Sequence, residues 1–289
     1  DGGIVFIGEN THTIYRIDES GELIWKNEGA FHHSINIGPN GNLWTSTMED
    51  QLAKQDNRFT YNYLDQGIAK LDIETGEILF EKSLSDIFVE NNKKGFLIGI
   101  GNGVGDRGRD PLHLNDVEVA FSSGAYYEKG DLFLSLRNRS AIVHYRPSSN
   151  QLLSIIHGDF SYQHDVDIQN DSTLSIFNNN ASALAAELEF RKDVKHLETK
   201  INLSHSNLVQ LDLREGGSKE LFTEQLDSLG VFTKDQGLHE KLEDLWIIES
   251  QNQNDLLVFD KGELMYHGYL MLDGDGRKVG LNWCRFSKC

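Results

Sequence analysis

A histidine opens a short apolar stretch running into a second strand-like segment at four places: His33 in HHSINIGPNGNLWTS, His113 in HLNDVEVAF before GDLFLSL, His164 in HDVDIQNDSTLSIF and His239 in HEKLEDLWIIE. A second signature follows the histidine segments, with one further copy ahead of the first. It reads IYRIDESGELIW from Ile14, IAKLDIETGEILF from Ile68, IVHYRPSSNQLLS from Ile142, LVQLDLREGGSKELF from Leu208 and LLVFDKGELMY from Leu256. Each copy has an apolar run, a polar turn rich in Asp, Gly, Ser or Asn, and a second apolar run, which is the pattern of a β-hairpin. Internal self-similarity of this kind sets the fold before any single motif does.

The five hairpins start 48 to 74 residues apart. A unit of roughly 40 to 50 residues holding four strands is the repeat of a β-propeller, and the longer intervals carry insertions. The chain therefore reads as one all-β propeller domain over residues 1–289, with insertions near 82–111 and 183–205. GGIVFIGEN at the start reads as the second strand of a histidine unit, and GLNWCRF near the end reads as a strand without a partner. Pairing the two would close the ring and remove both exposed edges.

The first insertion, including FVENNKKGFLIGIGNGVGDRGRDP, has the glycines and charges of a long surface loop. The second, ALAAELEFRKDVKHLETKI from Ala183, has helical composition and spacing. Loops of this length serve as lids or as plain surface insertions.

A net charge of −18 argues against nucleic acid or an anionic membrane as the main partner, because neutralising phosphates needs a basic face. No apolar run approaches the roughly 18 to 20 residues that cross a bilayer. The two cysteines, Cys284 and Cys289, admit either a small disulfide loop suited to an oxidising compartment or two free thiols. There is no CxxC or HExxH pattern, DGDG at 273–276 reads as a turn, and no metal is expected. NxS/T sequons at Asn138, Asn170, Asn180 and Asn202 matter only on a glycosylating secretory route.

Equivalent positions of propeller blades converge on one axis, so four repeated histidines read as one site rather than as four separate structural residues. His113 and Asn115 stand at i and i+2, a spacing that puts both on one face of a strand. Arg137 follows the strand GDLFLSL and brings a guanidinium to the end of the same blade, with Asn138 beside it. His164 is followed by Asp165 and Asp167, with Asp165 expected on the opposite face.

HHSINIGPNG, DPLHLNDVEVA, SLRNRSAIVHYRPSSN and YQHDVDIQNDSTLSIFNNN together resemble, in order, the motifs of the bacterial arylsulfotransferase (arylsulfate sulfotransferase) family. That resemblance implies a six-bladed propeller enzyme, periplasmic or extracellular. Such an enzyme passes a sulfuryl group from a phenolic sulfate ester to another phenol, without the nucleotide donor PAPS or any other cofactor. It implies that His164, in QHD, is the transiently sulfurylated nucleophile. His113 and Asn115, in HxN, and Arg137, in SxR, hold the sulfuryl oxygens. His33 is the remaining active-site histidine, the candidate acid and base. His239 and Asn138 are expected at the channel rim. The expected partners are small aryl sulfates and phenols, with an oligomer left open; the rival reading is a non-catalytic extracellular propeller acting as a binding or assembly module.

Overall fold

The computed structural model describes residues 2–8, 11–48, 63–98, 110–181, 205–271 and 278–279. The backbone divides into two compact units, Asp1–Ile156 and His157–Cys289. Almost every element is a strand, and the strands form antiparallel meanders of the propeller-blade type, each joined to the next in chain order.

In the first unit, β1 (Ile4–Ile7), β2 (Ile14–Ile17) and β3 (Leu23–Asn27) make a three-stranded sheet in that order. A four-stranded sheet follows, β4 (Phe31–Ile37), β5 (Leu43–Met48), β6 (Gln66–Leu71) and β7 (Ile78–Ser83). Another is built from β8 (Leu114–Val119), β9 (Leu132–Leu136), β10 (Ala141–Arg146) and β11 (Gln151–Ile156). The second unit holds the sheet β12 (His164–Asn170), β13 (Thr173–Asn178), β14 (Asn207–Asp212) and β15 (Ser218–Leu221). The next sheet is β16 (Leu238–Leu242), β17 (Leu245–Ser250), β18 (Asp255–Asp260) and β19 (Glu263–Gly268). A two-residue pair, β20 (Leu270–Met271) with β21 (Lys278–Val279), ends the described chain.

All five expected hairpins are the third and fourth strands of their sheets, or the second and third in the first sheet. Their turns show why the sequence bends there. Asp18 Oδ1 accepts from the amides of Ser20 and Glu22, Asp72 Oδ1 from those of Glu74 and Thr75, and Asp212 Oδ1 from that of Arg214. Each of these Asx turns is followed by a glycine at positive φ: Gly21, Gly76 and Gly216. In the fifth, Lys261 and Gly262 both take positive φ, as a two-residue hairpin of the primed type requires. Among the described residues, the sheet containing GGIVFIGEN begins with β1.

Burial follows strand position. β9 is buried at every residue, whereas β19 is exposed at five of six. The first unit's largest core packs Ile68, Val117, Leu134, Val143 and Tyr145 against Leu84, Ile87 and Phe88. The second unit's core gathers Phe177, Leu208, Leu226, Trp246, Ile248 and Phe259. Each fully buried side chain of this size stabilises the fold by about 1.5–3 kcal/mol before its entropic cost.

The insertion near 82–111 is not simply a surface loop. Residues 84–98 form α1 (Leu84–Glu90) and α2 (Lys94–Ile98). Ser83 caps α1 by accepting from the Asp86 amide, and Leu84, Ile87 and Phe88, at helical spacing, enter the core. Helix α3 (Thr223–Ser228) plays a similar part in the second unit through Leu226. The helical expectation at 183–205, the turn at 273–276, the strand at 280–286 and the Cys284 and Cys289 pair fall outside the described residues, apart from His205.

Candidate active-site residues

In the first unit the strand that should carry His33 is interrupted. β4 pairs regularly with β5 up to a bulge between His32 and Ile35, where His33 takes φ +60°. β8 has a bulge between Leu114 and Asp116, and His113, immediately before the strand, takes φ +54°. Non-glycine residues at positive φ are sparse and cost backbone energy, and bulges re-aim side chains at sheet ends. The result is a close pair: His33 Nε2 lies 3.1 Å from His113 Nε2, with ring centroids 5.1 Å apart.

Asp110 organises this pair. Its Oδ1 accepts from the His113 amide at 3.0 Å, its Oδ2 is hydrogen bonded to His113 Nδ1, and its backbone carbonyl accepts from Asn138 Nδ2 at 2.7 Å. Asn138 Oδ1 in turn accepts from Arg137 Nε at 3.1 Å, and the Arg137 amide donates to the His113 carbonyl at 3.0 Å. Arg137 is thereby tied to the loop that carries His113, while Asn138 is buried at the join rather than placed on a rim. Asn115 is fully buried at the bulge, so simple i, i+2 alternation from His113 does not run through it.

His32, which the repeat pattern did not single out, completes the cluster. Its ring meets that of His33 edge-on at 4.5 Å, and Gln66 Nε2 lies 3.5 Å from its Nε2. The Gln66 side-chain oxygen accepts from the Leu114 amide at 2.6 Å. Burial pushes the His32 imidazole down to about 4, against the opposing pull of the Asp110 charge, so it is neutral at neutral pH.

In the second unit His164 opens β12 and is completely buried. Its Nδ1 lies 2.7 Å from Asn179 Oδ1 and 3.2 Å from the Tyr162 carbonyl, and its Nε2 accepts from the Gln236 amide at 3.1 Å. Two acceptors at Nδ1 and a donor at Nε2 select the tautomer with the proton on Nδ1 and a lone pair on Nε2. Asn179 is itself fixed, donating to the carbonyls of Thr233 at 2.8 Å and Gln236 at 2.5 Å.

Asp165, at φ +52° in the bulge between His164 and Val166, is buried beside His239. Its Oδ2 accepts from the His239 amide at 2.7 Å and lies 2.8 Å from His239 Nδ1. His239 Nε2 is 2.6 Å from Ser175 Oγ and 3.5 Å from Asp167 Oδ2, and its ring stacks on Trp246. With no exposed surface, His239 is an anchor beneath the QHD segment and not the rim residue expected of it. Asp165, Asp167 and His239 have ligand atoms within 4.8 Å of one another and are the described residues whose composition could suit a cation. In this arrangement His239 is engaged by Asp165 and Ser175.

Asp110 and Asn179 are the functional candidates that sequence reasoning passed over, although both stand inside the quoted motifs DPLHLNDV and FNNN. The family model for arylsulfotransferase (ASST) matches residues 1–267. The chain belongs to the arylsulfotransferase family. No curated protein matches this arylsulfotransferase-family chain in sequence. Among solved structures it is similar to a protein of unknown function from Bacteroides caccae, at 13% identity and a TM-score of 0.56, over 92% of this chain and 77% of that one. It also matches the Dos1 propeller at 11% identity and a TM-score of 0.46, over 92% of this chain and 55% of that one. A streptogramin B lyase matches at 12% identity and a TM-score of 0.47, over 93% and 65%. At such identities the Bacteroides caccae likeness is one of fold alone.

Proposed function

We propose that this arylsulfotransferase-family protein transfers a sulfuryl group from an aryl sulfate to a phenol through a covalent sulfohistidine, without PAPS. The observation that carries the reading is the state of His164: an imidazole in the family's QHD motif, held by Asn179 with its proton on Nδ1 and a lone pair on Nε2. Attack of that lone pair on sulfur would release the donor phenolate. A second phenol would then take the sulfuryl group from the histidine, completing a ping-pong cycle. Arg137 and Asn115 are the residues proposed to stabilise the anionic oxygens, each worth on the order of 2–4 kcal/mol in a dry site. His33 would protonate the leaving phenolate and deprotonate the acceptor.

The alternative is a non-catalytic binding propeller. It draws support from the complete burial of His164 and from the Gln236 amide, which must leave Nε2 before attack. The deciding experiment follows transfer from 4-nitrophenyl sulfate to phenol, with intact-mass detection of a protein bearing one sulfuryl group. We expect turnover and adduct in the native protein and neither in His164→Ala. A folded native protein inactive across a panel of aryl sulfates and phenols would overturn the enzyme reading in favour of the binding module.

A periplasmic or extracellular location is part of the same proposal. It is supported by the acidic composition and by a cysteine pair able to bridge in an oxidising compartment. Fractionation that recovered the native protein only from cytosol would refute it.

A further inference from the structure

We propose that Asp110 is a positioning residue that works through His113 to hold His33 in the protonation pattern needed for acid and base catalysis. This rests on the sulfuryl-transfer reading for its use, but not for its physical existence. The three groups form one continuous chain within the first unit. The Asp110 carboxylate is bonded to His113 Nδ1, and His113 Nε2 faces His33 Nε2 at 3.1 Å. Asp110 and His113 keep only 16% and 17% side-chain exposure, so the carboxylate acts on the ring with little solvent between them.

The chemistry follows from the donor and acceptor inventory of imidazole. A carboxylate at Nδ1 takes the proton of that nitrogen in a hydrogen bond, so neutral His113 keeps a lone pair on Nε2. Two imidazole nitrogens at hydrogen-bonding distance need one proton between them. With the His113 lone pair facing it, His33 Nε2 is the donor. His33 Nδ1 is then the nitrogen that gains and loses the catalytic proton. When the donor ester's S–O bond breaks and the N–S bond forms, the His33 imidazolium gives that proton to the phenolate oxygen. In the second half-reaction the proton returns from the incoming phenol.

The surroundings favour this assignment of charge. His32 adjoins the rings of His33 and His113, the Arg137 amide is bonded to the His113 carbonyl, and Asp110 is bonded to the His113 ring. His32 is kept neutral by burial, and His12 and Arg137 are close enough to act on it electrostatically. Among these groups Asp110 is the negative charge. It favours a proton on the His33 end of the chain, against the repulsion of Arg137.

The same geometry revises one role. Both nitrogens of His113 are engaged, one by Asp110 and one by His33. In this arrangement His113 links the carboxylate to the acid and base, and a sulfuryl oxygen could claim its Nε2 only by displacing His33.

The test compares the native protein with Asp110→Asn and Asp110→Glu by long-range proton–nitrogen NMR of nitrogen-labelled histidines, titrated across neutral pH. Asp110→Asn keeps an acceptor for the His113 amide and removes the charge, so it is the variant expected to fold. We expect native His33 to carry its neutral-form proton on Nε2. Asp110→Asn should lower the pH at which His33 titrates, and Asp110→Glu should restore it in part. In the transfer assay, Asp110→Asn should lower kcat on the order of tenfold to a hundredfold with little change in KM, and move the pH profile in the same direction. Unchanged His33 tautomer and titration in Asp110→Asn would overturn the proposal. If the native protein transfers no sulfuryl group, the functional reading fails, and the NMR comparison still decides whether Asp110 controls His33.

Discussion

His164 Nδ1 stands 2.7 Å from the side-chain oxygen of Asn179, a residue locked in turn onto the carbonyls of Thr233 and Gln236. The contact fixes which nitrogen of His164 keeps its proton, and therefore which one would attack in the proposed transfer. Losing such an orienting partner leaves the nucleophile present but misdirected. Asn179→Ala should lower kcat by about a hundredfold, more than it raises KM, and reduce the yield of sulfurylated protein in single-turnover mass spectrometry. It should also cost about 1–3 kcal/mol in stability, because the Thr233 and Gln236 carbonyls lose a buried donor. Native kcat in a folded Asn179→Ala protein would show that the hydrogen bond does not orient the nucleophile.

The backbone beside His164 depends on one glycine. Gly237 follows the residue whose amide binds His164 Nε2, and it has φ +112°. A Cβ there would stand 2.3 Å from the Phe177 ring, and Phe177 is paired with His164 across β12 and β13. The substitution Gly237→Ala therefore combines backbone strain with overpacking against a fully buried ring. A loss of about 2–4 kcal/mol is expected in denaturant unfolding, with Gln236 displaced from His164. A variant as stable as the native protein would show that Phe177 yields freely.

A pH dependence follows from His32. Burial holds it at about 4 in the folded protein, against an ordinary value of 6.5. Between these values the unfolded chain binds the proton and the folded one does not. This residue's contribution is thus fully present above pH 6.5, falls as the pH drops towards 4, and reaches a total loss of about 3 kcal/mol. Urea unfolding over this window should show the decline in the native protein and a shallower slope in His32→Gln. Equal slopes would mean that His32 is protonated in the folded state.

The outer hairpins were legible because their signals are local. Asp18, Asp72 and Asp212 bond amides two to four residues on, and the apolar runs on either side mark the strands. The helices at 84–98 were hidden for the opposite reason. α1 is two turns long, too short for a period to stand out beside VENNKKG, and its one clear signal was the Ser83 cap ahead of Leu84, Ile87 and Phe88. At Asn115 the two-residue alternation was the wrong guide, because a bulge consumes one residue of register. The motif histidines were found by repetition, but their partners were not. Asn138 reaches the Asp110 carbonyl from 28 positions along the chain, and Asn179 lies 15 positions beyond His164. Composition carries no trace of such pairings.

Asp165 and His239 show the same limit with a larger energetic consequence. Both are completely buried and 2.8 Å apart, and Asp165 also accepts from the His239 amide. Removing the histidine ring leaves a carboxylate out of water with its other bonds intact, and removing the carboxylate leaves an amide and an imidazole facing a void. Breaking one side of a buried pair costs about 3–5 kcal/mol, whereas replacing both partners by apolar groups of similar volume is often close to neutral. Asp165→Ala should therefore lower stability by about 3–5 kcal/mol, and Asp165→Leu/His239→Leu should lose clearly less than the two single leucine variants added together. Because Asp165 directly follows His164 in the bulge, the single variant should also disturb the His164 hydrogen bonds, seen as a changed histidine NMR signal under conditions where the protein stays folded. Strictly additive losses in chemical unfolding would show that the two side chains are not energetically coupled, and that the QHD segment is held by its backbone pairing with β13 alone.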